Sequence, residues 1–133
     1  MRAVEYLDQI KKLDAIISNK GEEYRRSVEL ASGLGEFSVG ERVQASRNLQ
    51  QIPNAIARYI DIEREIDELK RKRSEIIGTI ERLPSVEYKI LYQLFVKDST
   101  LKELAYQFDK SYDWVKKKKH KALKIVQGMI DEN

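Results

Sequence analysis

Apolar residues recur at alternating steps of three and four along the first thirty residues, which is the spacing of a helix with one packed seam. The seam positions are Ala3, Tyr6, Ile10, Leu13, Ile17, Lys20, Tyr24, Ser27 and Ala31. The apolar character weakens after Ile17, where Gly21 and two polar seam residues follow. The pattern therefore predicts one long helix whose second half is looser and able to bend.

The same spacing returns between residues 52 and 83 and is the strongest periodic signal in the chain. Its positions are Ile52, Ala55, Tyr59, Ile62, Ile66, Leu69, Arg73, Ile76, Ile80 and Leu83. Pro53 suits the first turn of this second helix, because the amide that proline lacks would be unpaired there. About thirty residues at about 1.5 Å each give a rod of about 45 Å, and one face of it must be covered. The minimal arrangement is an antiparallel, coiled-coil-like hairpin with the first helix.

Residues 32 to 52 connect the two predicted helices, and three glycines interrupt the apolar rhythm there. A simple turn needs only a few residues, so a connection of about twenty is too long to be passive by default. It could hold a short helix, become ordered against a partner or serve as a mobile linker. Arg42 and Arg47 leave a contact with a polymerase or another subunit open.

Three shorter helices are predicted after residue 83. Pro84 ends the long helix, because the residue before a proline avoids the helical conformation, and Ser85 can cap the helix that follows. Tyr88, Leu91, Tyr92, Leu94 and Phe95 make that helix amphipathic. It should supply the third wall of a small C-terminal domain, since two helices alone bury too little surface.

The fourth and fifth predicted helices are joined by a short polar turn. Thr100 and Glu103 form the S/T-x-x-E capping box at the start of the fourth helix. Asp109 follows the helix at a turn, and aspartate tolerates the left-handed conformation. Ser111 can then cap the fifth helix. The fourth helix has an apolar face of Leu101, Leu104, Ala105 and Phe108. This arrangement predicts a helix-turn-helix.

On a helical wheel of about 100° per residue, Val115, Ala122 and Val126 fall on the inner side of the fifth helix. The opposite arc holds Asp113, Lys116, Lys117, His120 and Lys124. A major groove admits one helix, and lysine can reach guanine or neutralise phosphate there. Since base contacts come from the first turns of such a helix, the expected base-contacting residues are Tyr112, Asp113, Lys116 and Lys117. The expected phosphate contacts are Lys110, Ser111, Lys119, His120, Lys121 and Lys124.

The basic charge of the chain is local. The net charge of all 133 residues is +3, yet residues 110 to 133 contain seven lysines against three acids. A solvated helix face is the simplest alternative for such a lysine run. The helix and turn that precede the run favour duplex DNA as the partner.

The segment from Leu101 to Val115, followed by Lys121, Ala122 and Leu123, resembles the fourth region of bacterial sigma factors, and the likeness covers Leu83 to Ile125. That region binds the promoter −35 element. The resemblance implies that Tyr112, Asp113, Lys116 and Lys117 face the bases, in agreement with the wheel.

The sequence departs from the sigma pattern at two places. Lys118 stands where that pattern has a buried apolar residue, and Tyr112 and Trp114 replace an arginine-rich helix start. Lys118 can lay its aliphatic stem over the core and extend its ammonium group to solvent. The DNA sequence read by sigma factors therefore does not transfer to this chain.

The whole chain, including G-E-R-V-Q-A-S at residues 40 to 46, resembles the ArpU/RinA-like phage transcriptional regulators. The resemblance implies control of late phage genes in the cytoplasm of a bacterial host, with RNA polymerase as a possible further partner.

A homo-oligomer, most simply a dimer, is expected because two-fold proteins read repeated half-sites and gain avidity. Ile56, Ile60 and Ile77 remain for contact with a second copy once a hairpin has formed. The expected oligomer seam consists of Ile62, Ile66, Leu69, Arg73, Ile76 and Ile80. A hairpin that is closed within one chain is the alternative.

Other functional classes find little support in the sequence. The chain has no cysteine and a single histidine, His120, so neither a metal site nor a disulfide is expected. No phosphate-binding loop or nucleophile motif suggests an enzyme, a cofactor or a small-molecule ligand, and no apolar run suggests a membrane partner.

The sequence therefore predicts an all-α protein with a helical hairpin at residues 1 to 83 and a three-helix DNA-binding domain at residues 84 to 133. The predicted function is sequence-specific binding of double-stranded DNA in transcriptional regulation. Two alternatives are a phage DNA-packaging component, similar to a small terminase subunit, and a coiled-coil adaptor that does not bind DNA.

Overall fold

The computed structural model describes residues 1–32 and 45–132, with backbone alone for residues 45–52. All secondary structure in these residues is helical, which confirms the predicted all-α class. The helices are α1 (Ala3–Ala31), α2 (Ala45–Glu81), α3 (Ser85–Phe95), α4 (Leu101–Phe108) and α5 (Tyr112–Glu132).

Helix α1 follows the predicted seam and continues past Gly21 to Ala31. Its first half is the better packed, because Ala3, Leu7, Ile10 and Leu13 are buried. From Ile17 onward the seam positions are only half-buried, as expected from the polar residues at two of them. Leu7 lies outside the predicted seam yet is fully buried, so the packed stripe is wider than a strict heptad seam.

Helix α2 begins at Ala45, eight residues before the predicted start at Pro53. The prediction that Pro53 occupies the first turn is therefore wrong, and the connection between α1 and α2 is shorter than residues 32 to 52. Pro53 lies inside the helix, where it cannot donate a backbone hydrogen bond. Residues 45 to 51 contain Ala, Arg, Leu and Gln, and their helix propensity provides a physical reason why the helix extends in front of the proline.

The start of α3 also differs from the prediction. Pro84 occupies the N-cap position, no side chain caps the helix, and Ser85 is its first residue. Proline has φ near −65° in any case, and here its φ of −55° and ψ of 155° lead the chain directly into the helix. The predicted cap by Ser85 is therefore wrong, although the predicted break at Pro84 is confirmed.

The chain divides into two compact units, Ala15–Lys70 and the combination of Met1–Asp14 with Arg71–Asn133. In the first unit, α1 and α2 are joined by ion pairs of 2.5 Å between Lys20 and Glu65 and between Arg58 and Glu23. The hydrogen bond from Lys20 lowers the pKa of Glu65 below its usual value. Tyr24 meets Tyr59 edge to face, with ring centroids 6.0 Å apart. Lys20 pairs with Glu65, whereas the later residue Glu23 pairs with the earlier residue Arg58. The two helical segments are therefore antiparallel here.

The second unit joins the start of α1 and the end of α2 to the three C-terminal helices. Gln127 of α5 accepts a hydrogen bond of 2.8 Å from the amide of Ala3 and donates one of 3.0 Å to the carbonyl of Met1. Tyr6 and Thr79 share a hydrogen bond of 3.1 Å between their hydroxyl groups. The predicted boundary between residues 83 and 84 stays a prediction, because compactness does not test whether residues 84 to 133 fold alone.

Replacing Pro53 by alanine should stabilise α2. A proline inside a helix costs about 3 kcal/mol relative to alanine, whereas a proline in the first turn costs little. We expect Pro53→Ala to slow amide exchange in residues 49 to 57 and to raise the free energy of unfolding by about 1–3 kcal/mol. Asn54→Ala is the matched control, with a gain below about 1 kcal/mol from helix propensity alone. Equal or smaller protection in Pro53→Ala would contradict the helix start at Ala45.

Candidate nucleic-acid interface

Both ends of α4 are fixed by capping interactions. Thr100 is the N-cap, and its hydroxyl oxygen accepts a hydrogen bond of 3.2 Å from the amide of Glu103. This confirms the threonine half of the predicted capping box, while the Glu103 carboxylate contacts the Thr100 hydroxyl at 3.3 Å. Asp109 ends the helix in the left-handed conformation, with φ 54° and ψ 45°, as predicted. The amide of Lys110 then donates to the carbonyl of Ala105 at 3.0 Å, which closes the turn.

The start of α5 is fixed by Ser111. Its hydroxyl oxygen accepts a hydrogen bond of 3.1 Å from the amide of Trp114, which confirms the predicted cap. Only Asp109, Lys110 and Ser111 separate α4 from α5, and all three are exposed. The turn is therefore short and polar, and hydrogen bonds at both sides set where α5 begins.

Ile90, Leu104 and Val115 form a fully buried cluster that joins α3, α4 and α5. Half-buried residues pack around it: Val86, Leu94, Leu101, Ala105, Phe108 and Trp114. The small Ala105 thus lies against the cluster that contains Val115. Because the three helices share one core, the rotation of α5 about its axis is set by this packing.

The inner face of α5 is the one that the wheel predicted. Val115, Ala122 and Val126 each have no exposed surface. The expected base-contacting residues, Tyr112, Asp113, Lys116 and Lys117, are all exposed. They lie in the first two turns of α5, directly after the Ser111 cap. The structure thus brings these four side chains together at one end of one helix.

The expected phosphate-contacting residues are also at the surface, with one exception. Lys110, Ser111, His120, Lys121 and Lys124 are exposed, whereas Lys119 is half-buried. On the wheel Lys119 lies about 40° from Val115, so part of its side chain is covered by the same packing. These residues extend from the turn along three turns of α5.

Trp114 is a packing residue with two lysines beside it. Its ring lies 5.9 Å from that of Phe108, and it contacts the buried cluster. The ammonium groups of Lys110 and Lys118 lie 5.6 and 5.7 Å from its ring centroid, within the range of cation–π attraction. Lys118 is half-buried, as expected for a stem laid over the core. The indole therefore restrains two cations near the start of α5.

The sequence analysis missed Glu87, whose carboxylate is buried on α3. Both Lys118 and Lys121 place their ammonium nitrogens 3.8 Å from its Oε1. A signal was present in the sequence, because Glu87 precedes Ile90 and Leu91 by three and four residues and so lies on the apolar side of α3. Tyr106 was also missed and is 89% exposed on α4.

The expected oligomer seam is largely occupied within the single chain. Ile62, Ile76 and Ile80 are buried, and Ile66, Leu69 and Arg73 are half-buried. Arg73 donates a hydrogen bond of 2.5 Å to Asp14. Ile56 and Ile60 are 39% and 43% exposed, and Ile77 is half-buried. The seam stays a prediction, and of these isoleucines Ile56 and Ile60 offer a second copy the most surface.

Comparison with known proteins found no match among protein-family models, curated proteins or solved structures. The likeness to sigma factors and to the ArpU/RinA-like regulators therefore rests on the motifs in the sequence. None of the helices in residues 1–32 and 45–132 combines the length and the hydropathy of a transmembrane span.

Asp109→Gly and Asp113→Gly should have opposite effects on the stability of the protein. Asp109 has a positive φ, so Asp109→Gly removes a conformational cost and should raise the free energy of unfolding by up to about 1 kcal/mol. Asp113 lies in the first turn of α5, where glycine weakens the helix and loses a favourable charge. Asp113→Gly should lower the free energy by about 1 kcal/mol. Urea unfolding measures both, and a loss of stability in Asp109→Gly would contradict the left-handed turn.

Proposed function

We propose that this protein is a sequence-specific regulator of transcription that binds double-stranded DNA through α5. In this proposal, α3, α4 and α5 form a helix-turn-helix domain like the fourth region of sigma factors, and α1 and α2 form the predicted hairpin. The observation that carries the proposal is the division of α5 into two faces. Val115, Ala122 and Val126 are buried, while Tyr112, Asp113, Lys116 and Lys117 are exposed in its first two turns.

Such a helix has the properties that major-groove binding requires. Its first turns follow directly after the polar turn and carry two adjacent lysines, which can reach guanine O6 and N7. Tyr112 and Asp113 add a hydroxyl group and an acceptor for cytosine N4. Among the described residues, no carboxylate lies within 4.0 Å of Lys116 or Lys117. Their charges are therefore available to DNA.

Tyr112, Asp113, Lys116 and Lys117 form what we call the reading face of α5. The residues around it support binding to the DNA backbone. Lys110 and Ser111 lie in the turn, and His120 and Lys124 lie further along α5 on its exposed side. Contacts of this kind place a protein on the duplex without reading its sequence. They also make the affinity fall with rising salt, because each neutralised phosphate releases counterions.

The hairpin is proposed to bring two copies together, with Ile56 and Ile60 at the contact. A dimer would present two α5 helices to two half-sites and gain avidity. Regulation of phage or prophage late genes and a contact with RNA polymerase come from the family resemblance. Residues 40 to 44, which belong to that resemblance, lie outside the described residues.

Selection of bound duplexes from a random DNA library tests the proposal. We would compare the wild type with Lys116→Ala/Lys117→Ala and with Lys70→Ala/Lys72→Ala, a control that removes the same charge from exposed sites on α2. The wild type and the control should enrich one motif at low and at high salt. The α5 variant should lose the motif, with at least tenfold weaker binding to it, since each base contact is worth about 1–3 kcal/mol.

Two other results would point to a different function. If no variant enriches a motif even at low salt, the α4 to α5 unit does not read DNA, and the adaptor alternative gains support. If the protein assembles into rings in solution and binds duplexes without enrichment, the packaging alternative gains support. If both double variants lose the motif equally, the reading face is not at Lys116 and Lys117.

A further inference from the structure

Glu87 is a charged residue in a place where charge is costly. It is 3% exposed and lies on the side of α3 that also buries Ile90 and Leu91. A buried carboxylate is tolerated when cations accompany it, because burial removes the water that would otherwise stabilise its charge. The cations that accompany Glu87 both belong to α5.

Lys118 and Lys121 direct their ammonium groups to the same oxygen of Glu87, at 3.8 Å each. Residues three apart lie on one side of a helix, so both lysines can approach from α5 at once. A separation of 3.8 Å is longer than a hydrogen bond, and the attraction is therefore mainly electrostatic. It is stronger than in a surface pair because the Glu87 side chain is only 5% exposed. Lys118 is held further by the ring of Trp114.

Five of the six lysines of α5 thus fall into two groups, and the sixth, Lys119, is half-buried. Lys118 and Lys121 lie beside Glu87, whereas Lys116, Lys117 and Lys124 have no carboxylate within 4.0 Å in the described part of the chain. An ammonium group engaged by Glu87 neutralises a phosphate less well than a free one. Only the second group is therefore fully available to DNA.

We propose that Glu87 is a positioning residue that withholds Lys118 and Lys121 from DNA phosphates and thereby favours specific over non-specific binding. The inference rests on the proposed DNA-binding function. Attraction between lysines and phosphates does not depend on the DNA sequence, so it raises the affinity for specific and non-specific sites alike. Fewer free lysines on α5 leave a larger share of the binding energy to the base-facing residues. Lys121 then serves as a partner of Glu87 and not as the phosphate contact that the sequence suggested.

Glu87→Gln in the 133-residue chain tests the inference, because glutamine keeps the size of the side chain and removes its charge. Glu81→Gln is the matched control, with the same change in net charge at an exposed residue of α2. Affinity for the selected duplex and for a scrambled duplex is measured over a range of salt. We expect Glu87→Gln to steepen the salt dependence of log K by about 0.9 for each additional phosphate neutralised. The ratio of specific to non-specific affinity should fall, and Glu81→Gln should change neither quantity as much.

Acetylation of lysines in the absence of DNA provides a second readout that does not depend on the proposed function. Lys118 and Lys121 should react at least about threefold faster in Glu87→Gln than in the wild type, since their amines are no longer held near a carboxylate by an attraction worth up to about 1 kcal/mol. Lys116 and Lys117 should react equally in both proteins. Unchanged reactivity at Lys118 and Lys121 would overturn the inference even if the wild type binds DNA specifically.

The two readouts separate the possible failures. If the lysine reactivity changes but the wild type binds no duplex, the contact with Glu87 is real and the DNA-binding function and this inference both fail. If Glu87→Gln does not fold, the inference is tested by comparing Lys121→Gln with Lys124→Gln. Each variant removes one exposed lysine from α5, and only Lys121 lies beside Glu87. A smaller loss of affinity for scrambled DNA in Lys121→Gln supports the inference, and equal losses overturn it.

Discussion

The packing of Ile90, Leu104 and Val115 is the contact on which the C-terminal part of the molecule depends. One residue comes from each of α3, α4 and α5, and none has exposed surface. Burial of a large aliphatic side chain contributes about 1.5–3 kcal/mol, so these three residues contribute substantially to holding α3, α4 and α5 together. Its geometric effect matters as much, because it fixes the side of α5 that faces inward. The outward side, with Lys116 and Lys117, follows from that choice.

The turn between α4 and α5 acts together with this core. Asp109 reverses the chain in the left-handed conformation, and Ser111 determines where α5 starts. A shift of one residue in this start would rotate every side chain of α5 by about 100° relative to the core. The capping hydrogen bonds and the buried cluster thus specify the same register. This agreement between local and tertiary interactions is what gives α5 a single defined outward face.

The charges of the C-terminal helices are arranged by the same packing. Seven lysines in residues 110 to 133 look equivalent in the sequence, but their surroundings differ. Lys110 and Lys118 lie beside the Trp114 ring, and Lys118 and Lys121 lie beside Glu87. Lys116 and Lys117 are exposed. A lysine run that composition would describe as one basic patch therefore contains lysines held near Trp114 or Glu87 together with lysines, such as Lys116, Lys117 and Lys124, that have no such partner among the described residues.

The sequence by itself determined the features that depend on local periodicity and capping chemistry. The seams of α1 and α2, the left-handed turn at Asp109, the Ser111 cap and the buried side of α5 all follow from spacings of ten residues or fewer. Local rules were insufficient at Pro53, where helix-forming neighbours extended α2 in front of the proline, and at Ser85, where Pro84 took the N-cap position.

Only the tertiary structure decided which residues distant in the chain meet. Gln127 contacts Ala3, and Glu87 lies beside Lys118 and Lys121 across thirty or more residues. The helical period placed Glu87 on an apolar face, but it could not identify the cations that compensate for its burial. The physical reason is that a carboxylate finds its partners through the packing of helices on one another, and a one-dimensional pattern carries no distance between helices.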